Sequence, residues 1–309
     1  MLKVEGFARG HGSNPHKTDS LGHYGTKITV MSNTKLLEEF GSMPITPELI
    51  KRIEDVTGQP AHPFLRRGLF FSHRDLEEIL DDHAAGRPIY LYTGRGPSAG
   101  SFHLGHLVPF LFTVYLQQLF DAHVVIQITD DEKFTHRDCT MEEIEVNTKE
   151  NIRDIIACGF NPEKTFIFTN FDYIGTMYKN VVQIQSKLTN SQVFATFGIE
   201  MCDNIGKTSF CAIQAAPSFP SLFPHLFKSS DRRRCLIPCG IDQDPYFRLT
   251  RDVAPKLGDN KPALIHSNFV PSLQGVDSKM SSSQPQTAMF VTDTPKQIKK
   301  KINSAFSGG

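Results

Sequence analysis

Pro97-Ser-Ala-Gly-Ser-Phe-His103-Leu-Gly-His106 follows a short apolar run, Tyr90 to Thr93, and precedes a long one from Leu107 to Phe120. The short run reads as a buried strand, the glycines Gly94, Gly96 and Gly100 as a loop, and the long run as a helix. His103 and His106 then stand three apart at a helix start, a spacing that lets both imidazoles share one face. A helix N-terminus offers free N–H groups and the positive end of its dipole, which suits a phosphate. Gly105, with no side chain, leaves room for a flat group such as a nucleobase. Taken alone, H-x-G-H is as easily an incidental pair of histidines in a loop.

A second stretch weighs against the incidental reading. Beyond the strand-like Pro262-Ala-Leu-Ile-His-Ser-Asn-Phe-Val270 comes Gln274-Gly-Val-Asp-Ser-Lys279-Met280-Ser281-Ser282-Ser283. It is polar, without apolar periodicity, and sets one ammonium among hydroxyls. It reads as a mobile loop suited to closing over a triphosphate.

Between these stretches, strands and helices alternate. Ala122-His-Val-Val-Ile-Gln-Ile-Thr129 is a continuous β-branched strand, as in a parallel sheet covered on both faces. Thr140-x-x-Glu143 caps a helix that Gly159 ends. Thr165 to Thr169 is a strand and Tyr173 to Lys187 a helix, while Ser191 to Phe227, rich in Phe and Pro, holds short helices. Cys235 to Cys239 is a strand, Asp244-Pro245 opens a helix, and Ala263 to His266 is the last strand. This order predicts an α/β fold with a doubly wound parallel sheet, whose ligands bind at the carboxyl ends of the strands. Ahead of it, Thr46-Pro47 opens one helix and Ser72-x-x-Asp75 reads as the capping box of another. The divisions are a partly irregular N-terminal extension over 1–44 with one strand-like piece, Lys27 to Met31, a helical lead-in over 45–87, and the Rossmann-type sheet domain over 88–309.

Composition narrows the class. The 309 residues suffice for a sizeable core, and 33 basic against 33 acidic residues leave no global field for nucleic acid. A nucleic-acid partner would have to use local patches; Lys299 to Lys301 reads first as a solvated helix face. No signal peptide is read at the N-terminus, and Leu107 to Leu116, the longest apolar run, is too short for a bilayer. The six cysteines are scattered, with only Cys235 and Cys239 close, which points to reduced thiols in a cytoplasmic setting.

Polar residues at strand ends are the remaining candidates. Tyr92 ends the first strand. Gln127 lies inside a β-branched run, unfavourable unless its amide is paired. Three adjacent acids, Asp130, Asp131 and Glu132, cannot all face one point, so no metal site is read there and Glu132 is preferred as pocket-facing. Gln214, in Ala212-Ile-Gln-Ala-Ala-Pro-Ser-Phe219, is read at a third strand end, and at the fourth Gly240 permits close backbone approach and Asp242 can accept two ribose hydroxyls.

His103-Leu-Gly-His106 and Lys279-Met-Ser-Ser-Ser283 resemble the two signatures of class I aminoacyl-tRNA synthetases. Tyr92-Thr-Gly-Arg-Gly-Pro-Ser98, Gln127-Ile-Thr-Asp-Asp-Glu-Lys133, Asp154-Ile-Ile-Ala-Cys-Gly-Phe160, Ile213-Gln-Ala-Ala-Pro-Ser-Phe219 and Ile241-Asp-Gln-Asp-Pro-Tyr-Phe-Arg248 resemble the eukaryotic and archaeal tryptophanyl-tRNA synthetases. The similarity runs from about Phe40 to the last residue. It implies a Rossmann-type catalytic domain that activates L-tryptophan with ATP and Mg²⁺ and transfers it to tRNA-Trp, in a cytoplasmic homodimer without membrane association. It implies roles for His103, His106 and Lys279 in catalysis, and for Gly105, Gly240, Asp242, Met280, Ser281 and Ser282 in holding ATP. Tyr92 and Gln127 would hold the indole N–H, Glu132 the α-amino group, and Gln214 and Gln243 the amino and carboxylate ends. Ser282 stands where many class I loops carry a second lysine, a departure that resembles this family's eukaryotic members, which use a small residue there. The family's anticodon-binding domain would follow Gly309 and is expected to be absent from this chain. A tyrosyl-tRNA synthetase and a non-catalytic module derived from a synthetase stay open as alternatives.

Overall fold

The computed structural model describes residues 33–97, 100–228, 232–282 and 284–307. The strand expected at Lys27 to Met31, and Ser98 and Ser283 of the two signatures, lie outside these residues. Helix α1 (Asn33–Phe40) and a two-residue strand β1 (Met43–Pro44) lead in. Thr46 then caps α2 (Pro47–Thr57), its hydroxyl accepting the Leu49 N–H with proline in the first turn. One turn, α3 (Pro63–Arg66), follows.

The next element departs from expectation. Ser72 lies in strand β2 (Phe70–Arg74), not in a capping box, and Asp75 takes a left-handed conformation (φ 53°) before α4 (Leu76–Ala84). His73 Nδ1, not Ser72, accepts the Leu76 N–H at 3.2 Å. The stretch read as a helical lead-in therefore also supplies a strand. Its partner is nearly two hundred residues away, so nothing local announces it.

From β3 (Ile89–Arg95) come α5 (Leu104–Phe120), β4 (His123–Ile128), α6 (Asp130–His136), α7 (Met141–Ala157), β5 (Thr165–Thr169) and α8 (Asn170–Gln185); the alternation runs as predicted except for α6, a short helix over the acidic run that was expected only as a strand end. The capping box of α7 forms, with Thr140 and Glu143 exchanging bonds with each other's backbone N–H. Then come α9 (Asn190–Phe197), α10 (Ile205–Ala215), β6 (Arg234–Gly240), α11 (Asp244–Leu257) and β7 (Ala263–Ser267). β7 is not the last strand: β8 (Pro271–Ser272) and β9 (Gly275–Lys279) make a small hairpin from the stretch read as a loop, before α12 (Pro295–Asn303). A hairpin this short and polar carries no apolar alternation in its sequence, so a period of two could not reveal it.

The main sheet is ordered β1-β2-β7-β6-β3-β4-β5. Its five strands from β7 to β5 are parallel, while β2 and β1 join antiparallel beyond β7, so the expected parallel sheet gains a mixed edge. Among the parallel strands the order reverses between β3 and β6, whose carboxyl ends open a crevice there.

Strand parity divides the core. Leu91, Val124, Ile126, Leu236 and Ile265 face one cluster with α2, α4 and α5. Tyr90, Tyr92, Val125, Ile237 and Leu264 face the other with α8, α10 and α11. The period of two then puts Gln127 on the same face as Val125 and Tyr92. Among the described residues no helix is long and apolar enough to cross a membrane. All six thiols are free, and burial pushes those of Cys235 and Cys239 well up from the ordinary range.

Candidate active site

The cleft at the strand reversal is lined by the ends of β3 and β6, the first turns of α5, and side chains of α10 and α11. Its cavity of about 270 Å³ falls just under the ~300 Å³ at the small end of ligand sites, the scale of one amino acid. Tyr92, Gln127, Glu132, Gln214 and Gln243 all line it, together with Gly105, His106 and Gly240. Their elements are far apart in sequence, so the fold assembles what the sequence only suggested.

At the closed end, the Tyr92 hydroxyl lies 2.6 Å from Gln127 Oε1 and 2.9 Å from the Gln214 carbonyl. Gln127 is fully buried and its Nε2 donates to Asn170 Oδ1 and the Ile213 carbonyl. The Gln127 amide is thus paired inside its apolar strand, and what it and Tyr92 turn to the cavity is oxygen. A side wall carries Glu132, whose carboxylate accepts from the Thr129 hydroxyl and from Lys133 Nζ, each at 3.0 Å. Lys133 therefore occupies the carboxylate that the resemblance allots to a substrate amine. Gln214 Nε2 and Gln243 Oε1 face each other at 3.4 Å.

His103 caps α5, and its ring stacks on that of His106 at 3.6 Å between centroids and 22° between planes. Only His106 reaches the cavity wall. Both Nδ1 atoms are buried without a hydrogen-bond partner. Burial, with the Arg95 charge adding, holds His103 down at about 4. The same causes push His106 lower still. Two neutral imidazoles, each with one N–H, therefore sit at this helix start.

Gly105 does not leave the open room the sequence suggested. A Cβ there would lie 2.9 Å from His103 Cε1 and 3.8 Å from Met280 Cβ. Glycine is needed because the His103 ring folds back over it. The same contact brings the second signature to the first. The segment beyond it is also bonded there, by Leu104 N–H to the Met289 carbonyl and Val291 N–H to the Phe102 carbonyl.

His103, Asp242, Lys279, Met280, Ser281 and Ser282 stand outside the cavity wall. Asp242 lies beside Gly240, its Oδ1 2.6 Å from where a Cβ on that glycine would be. Burial raises the Asp242 carboxyl from its usual range, against the opposing pull of Lys279. The Lys279 ammonium rests over the Phe269 ring, 5.0 Å from its centroid.

The family is decided by comparison with known proteins. A family model described as tRNA synthetases class I (W and Y) matches residues 84–208 and 213–309. The chain belongs to that family. It is 57% identical over 279 residues to the cytoplasmic tryptophan–tRNA ligase of Rattus norvegicus, and 54% over 277 residues to that of Arabidopsis thaliana. These matches cover 89% of this chain in each case, against 58% of the rat and 69% of the Arabidopsis protein. The chain thus spans under three fifths of the rat relative's length. Among solved structures it resembles the tryptophanyl-tRNA synthetase of Trypanosoma brucei, with TM-score 0.81 and 54% identity, covering 88% of this chain and 78% of that one. The enzyme of Encephalitozoon cuniculi bound to tryptophan is similar at TM-score 0.83 and 40% identity, with coverage of 89% and 79%.

Arg95 is a site residue of this class I fold that the sequence reading missed. It ends β3, donates from Nε to Asn151 Oδ1, and sets its guanidinium 5.2 Å from the Phe102 ring centroid. Burial lowers it to about 10, so it keeps its charge at neutral pH. An arginine between two glycines directly after a buried strand was the available signal. Phe210, Phe247 and Pro109 supply apolar wall, and nothing distinguished them in the sequence from ordinary core residues.

The depressed histidines set a pH dependence. His103 is neutral in the folded chain down to about 4, whereas an exposed imidazole takes up its proton near 6.5. The unfolded chain therefore binds more protons across that window, and stability present above it is lost as pH falls through it. Asp131, raised to about 6 mainly by burial, works the other way. The expected result is a urea midpoint that falls from pH 6.5 to 4 and falls less steeply in the His103→Gln/His106→Gln variant. Equal slopes would mean that these imidazoles are not held neutral.

Proposed function

We propose that this chain activates L-tryptophan with MgATP, forming tryptophanyl-adenylate and releasing pyrophosphate, as the first step of charging tRNA-Trp. The observation that carries this reading is the closed end of the cavity, where Tyr92 and Gln127 present buried oxygens beside apolar walls. Indole N–H is a donor only and needs such an acceptor. A site built around that pairing rejects phenylalanine, which leaves its polar groups unpaired.

In this reading the tryptophan carboxylate attacks the α-phosphorus in line. One P–O bond forms, the bond to the departing pyrophosphate breaks, and Mg²⁺ travels with the triphosphate as part of the substrate. Little proton transfer is needed, so the protein positions its substrates and stabilises developing charge. His106, backed by His103, donates from a neutral ring to phosphate oxygens, and Lys279 meets the leaving pyrophosphate. Glu132 holds the α-amino group once Lys133 gives way, and Gln214 and Gln243 orient the amino and carboxylate ends. Gly105, Gly240, Asp242, Met280, Ser281 and Ser282 form the nucleotide side.

The cytoplasmic setting is proposed from the relatives' names. A homodimer is supported by large apolar side chains left exposed around α6, α8 and the approach to α10: Phe134, Phe171, Met201 and Ile205. Amino-acid-dependent exchange of labelled pyrophosphate into ATP tests the reading. Exchange with tryptophan and not with tyrosine is expected; exchange with tyrosine, or none, overturns it.

A further inference from the structure

The polarity of the closed end of the cavity is set from outside it. Asp131 Oδ1 lies 2.6 Å from Asn170 Nδ2 and 2.7 Å from the Glu132 backbone nitrogen. Asn170 Oδ1 lies 2.8 Å from Gln127 Nε2, which is also 3.2 Å from the Ile213 carbonyl. Gln127 Oε1 meets the Tyr92 hydroxyl. Neither Asp131 nor Asn170 lines the cavity, and Asn170 is buried.

Chemistry fixes the direction of every bond in this row. A carboxylate can only accept, so Asn170 must turn its NH₂ toward Asp131 and its oxygen toward Gln127. Gln127 must then give its NH₂ to Asn170 and to the Ile213 carbonyl, which leaves its oxygen toward Tyr92. The Tyr92 hydroxyl has one proton, and both of its neighbours, Gln127 Oε1 and the Gln214 carbonyl, are acceptors. That proton is directed into the wall, and the phenol oxygen's lone pairs are left for a ligand. If either amide turned over, NH₂ groups would oppose each other within the row, or the cavity would present a donor.

We propose that Asp131 and Asn170 are positioning residues for substrate selection, holding Gln127 and Tyr92 as acceptors so that the cavity prefers an aromatic amino acid with a ring N–H. This rests on the tryptophan reading above and deepens it. The burial of Asn170 and Gln127 strengthens the selection, because a buried acceptor without a donor is strongly penalised.

The test compares L-tryptophan with 3-(1-benzothiophen-3-yl)-L-alanine, in which sulfur replaces the ring N–H. Pyrophosphate exchange is measured for the wild-type chain, Asn170→Ala, and the exchanged pair Asp131→Asn/Asn170→Asp. Asn170→Ala is expected to narrow the preference for tryptophan by about 10–100-fold. It should act through the KM for tryptophan, with the KM for ATP within about twofold. The exchanged pair keeps the direction of the bond that matters, since the new carboxylate accepts from Gln127 on one side and from the new amide on the other, while the Glu132 N–H loses its acceptor at residue 131. It should restore the preference to within a few-fold. Equal losses for both amino acids in Asn170→Ala, or no restoration in the exchanged pair, would overturn the proposal. Should Asn170→Ala not fold, the exchanged pair against Asp131→Asn alone decides it by the same ratio. A wild-type chain that exchanges with neither amino acid refutes the tryptophan reading instead. Calorimetric binding of the two amino acids to the same variants without ATP still reads the relay, and an unchanged affinity ratio overturns it.

Discussion

Lys279→Ala is expected to lower tryptophan-dependent pyrophosphate exchange by about 10²–10³-fold, the size of losing one donor to developing charge. The expectation rests on the charges around the two histidines. His103 and His106 are neutral, so each offers a hydrogen bond and no charge. Arg95 is engaged with Asn151 and Phe102, and Ser282 stands where a second lysine is common. Lys279 ends β9 with its ammonium exposed over Phe269. An exposed cation–π contact of this kind is worth only about 0.5–1 kcal/mol. The expected loss corresponds to about 2.7–4 kcal/mol, so the transition state easily outcompetes the aromatic ring. Met280, the next residue, already lies against Gly105, so the ammonium has only a hairpin end to move. The loss should fall on turnover, with the KM for tryptophan little changed. Turnover equal to wild type would remove this hairpin from the mechanism.

The parallel strands were legible because each is a short apolar run set between turn or helix signals, and the β-branched, buried Val124 to Ile128 could scarcely be anything else. Tyr92 and Gln127 were legible for a related reason. A polar residue in such a run must be paired, and strand parity puts these two on one face. What the sequence concealed were relations across distance. β2 looked like a helix cap because Ser-x-x-Asp is a short pattern and its pairing partner is β7. Glu132 was found, but its engagement with Lys133 was not, since adjacent residues on a helix seldom face each other. Asn170 looked like an ordinary residue ahead of a helix, and its role emerges only once β4 and α8 are set side by side. Lys279 was recognised by its neighbours in sequence, yet its resting place on Phe269 depends on a hairpin that no apolar pattern marks.

Asp244→Ala should destabilise the chain by about 3–5 kcal/mol in urea unfolding, the scale of stranding one member of a buried ion pair. Asp244 is fully buried at the start of α11 and takes both prongs of Arg74, Nε to Oδ1 at 2.6 Å and a terminal nitrogen to Oδ2 at 2.8 Å. Burial alone would raise its carboxyl, but the bonds from Arg74 and His266 outweigh this and hold it below the usual range. His266 Nε2 lies 3.1 Å from Oδ1, and its Nδ1 meets the Ser72 hydroxyl at 2.9 Å. Ser72, His266 and Asp244 thus form a row reminiscent of a hydrolase triad, yet all three have 0% exposure, so no substrate can reach the hydroxyl. The row works as a brace. Arg74 also donates to the Phe40 and Gly41 carbonyls, which fastens the end of α1 and the antiparallel strand β2 to the helix that follows Gln243. Removing both charges separates the pair from its desolvation, so Arg74→Met/Asp244→Ala should lose less than Asp244→Ala alone. A double variant as unstable as the two single losses added together would show that the ions do not depend on each other. Because Gly240 and Gln243 lie on the turn that Asp244 ends, loss of the brace should also raise the KM for tryptophan. The double variant should recover stability more fully than affinity, since methionine can fill the space beside α11 but cannot hold the Phe40 and Gly41 carbonyls that fix where that helix begins.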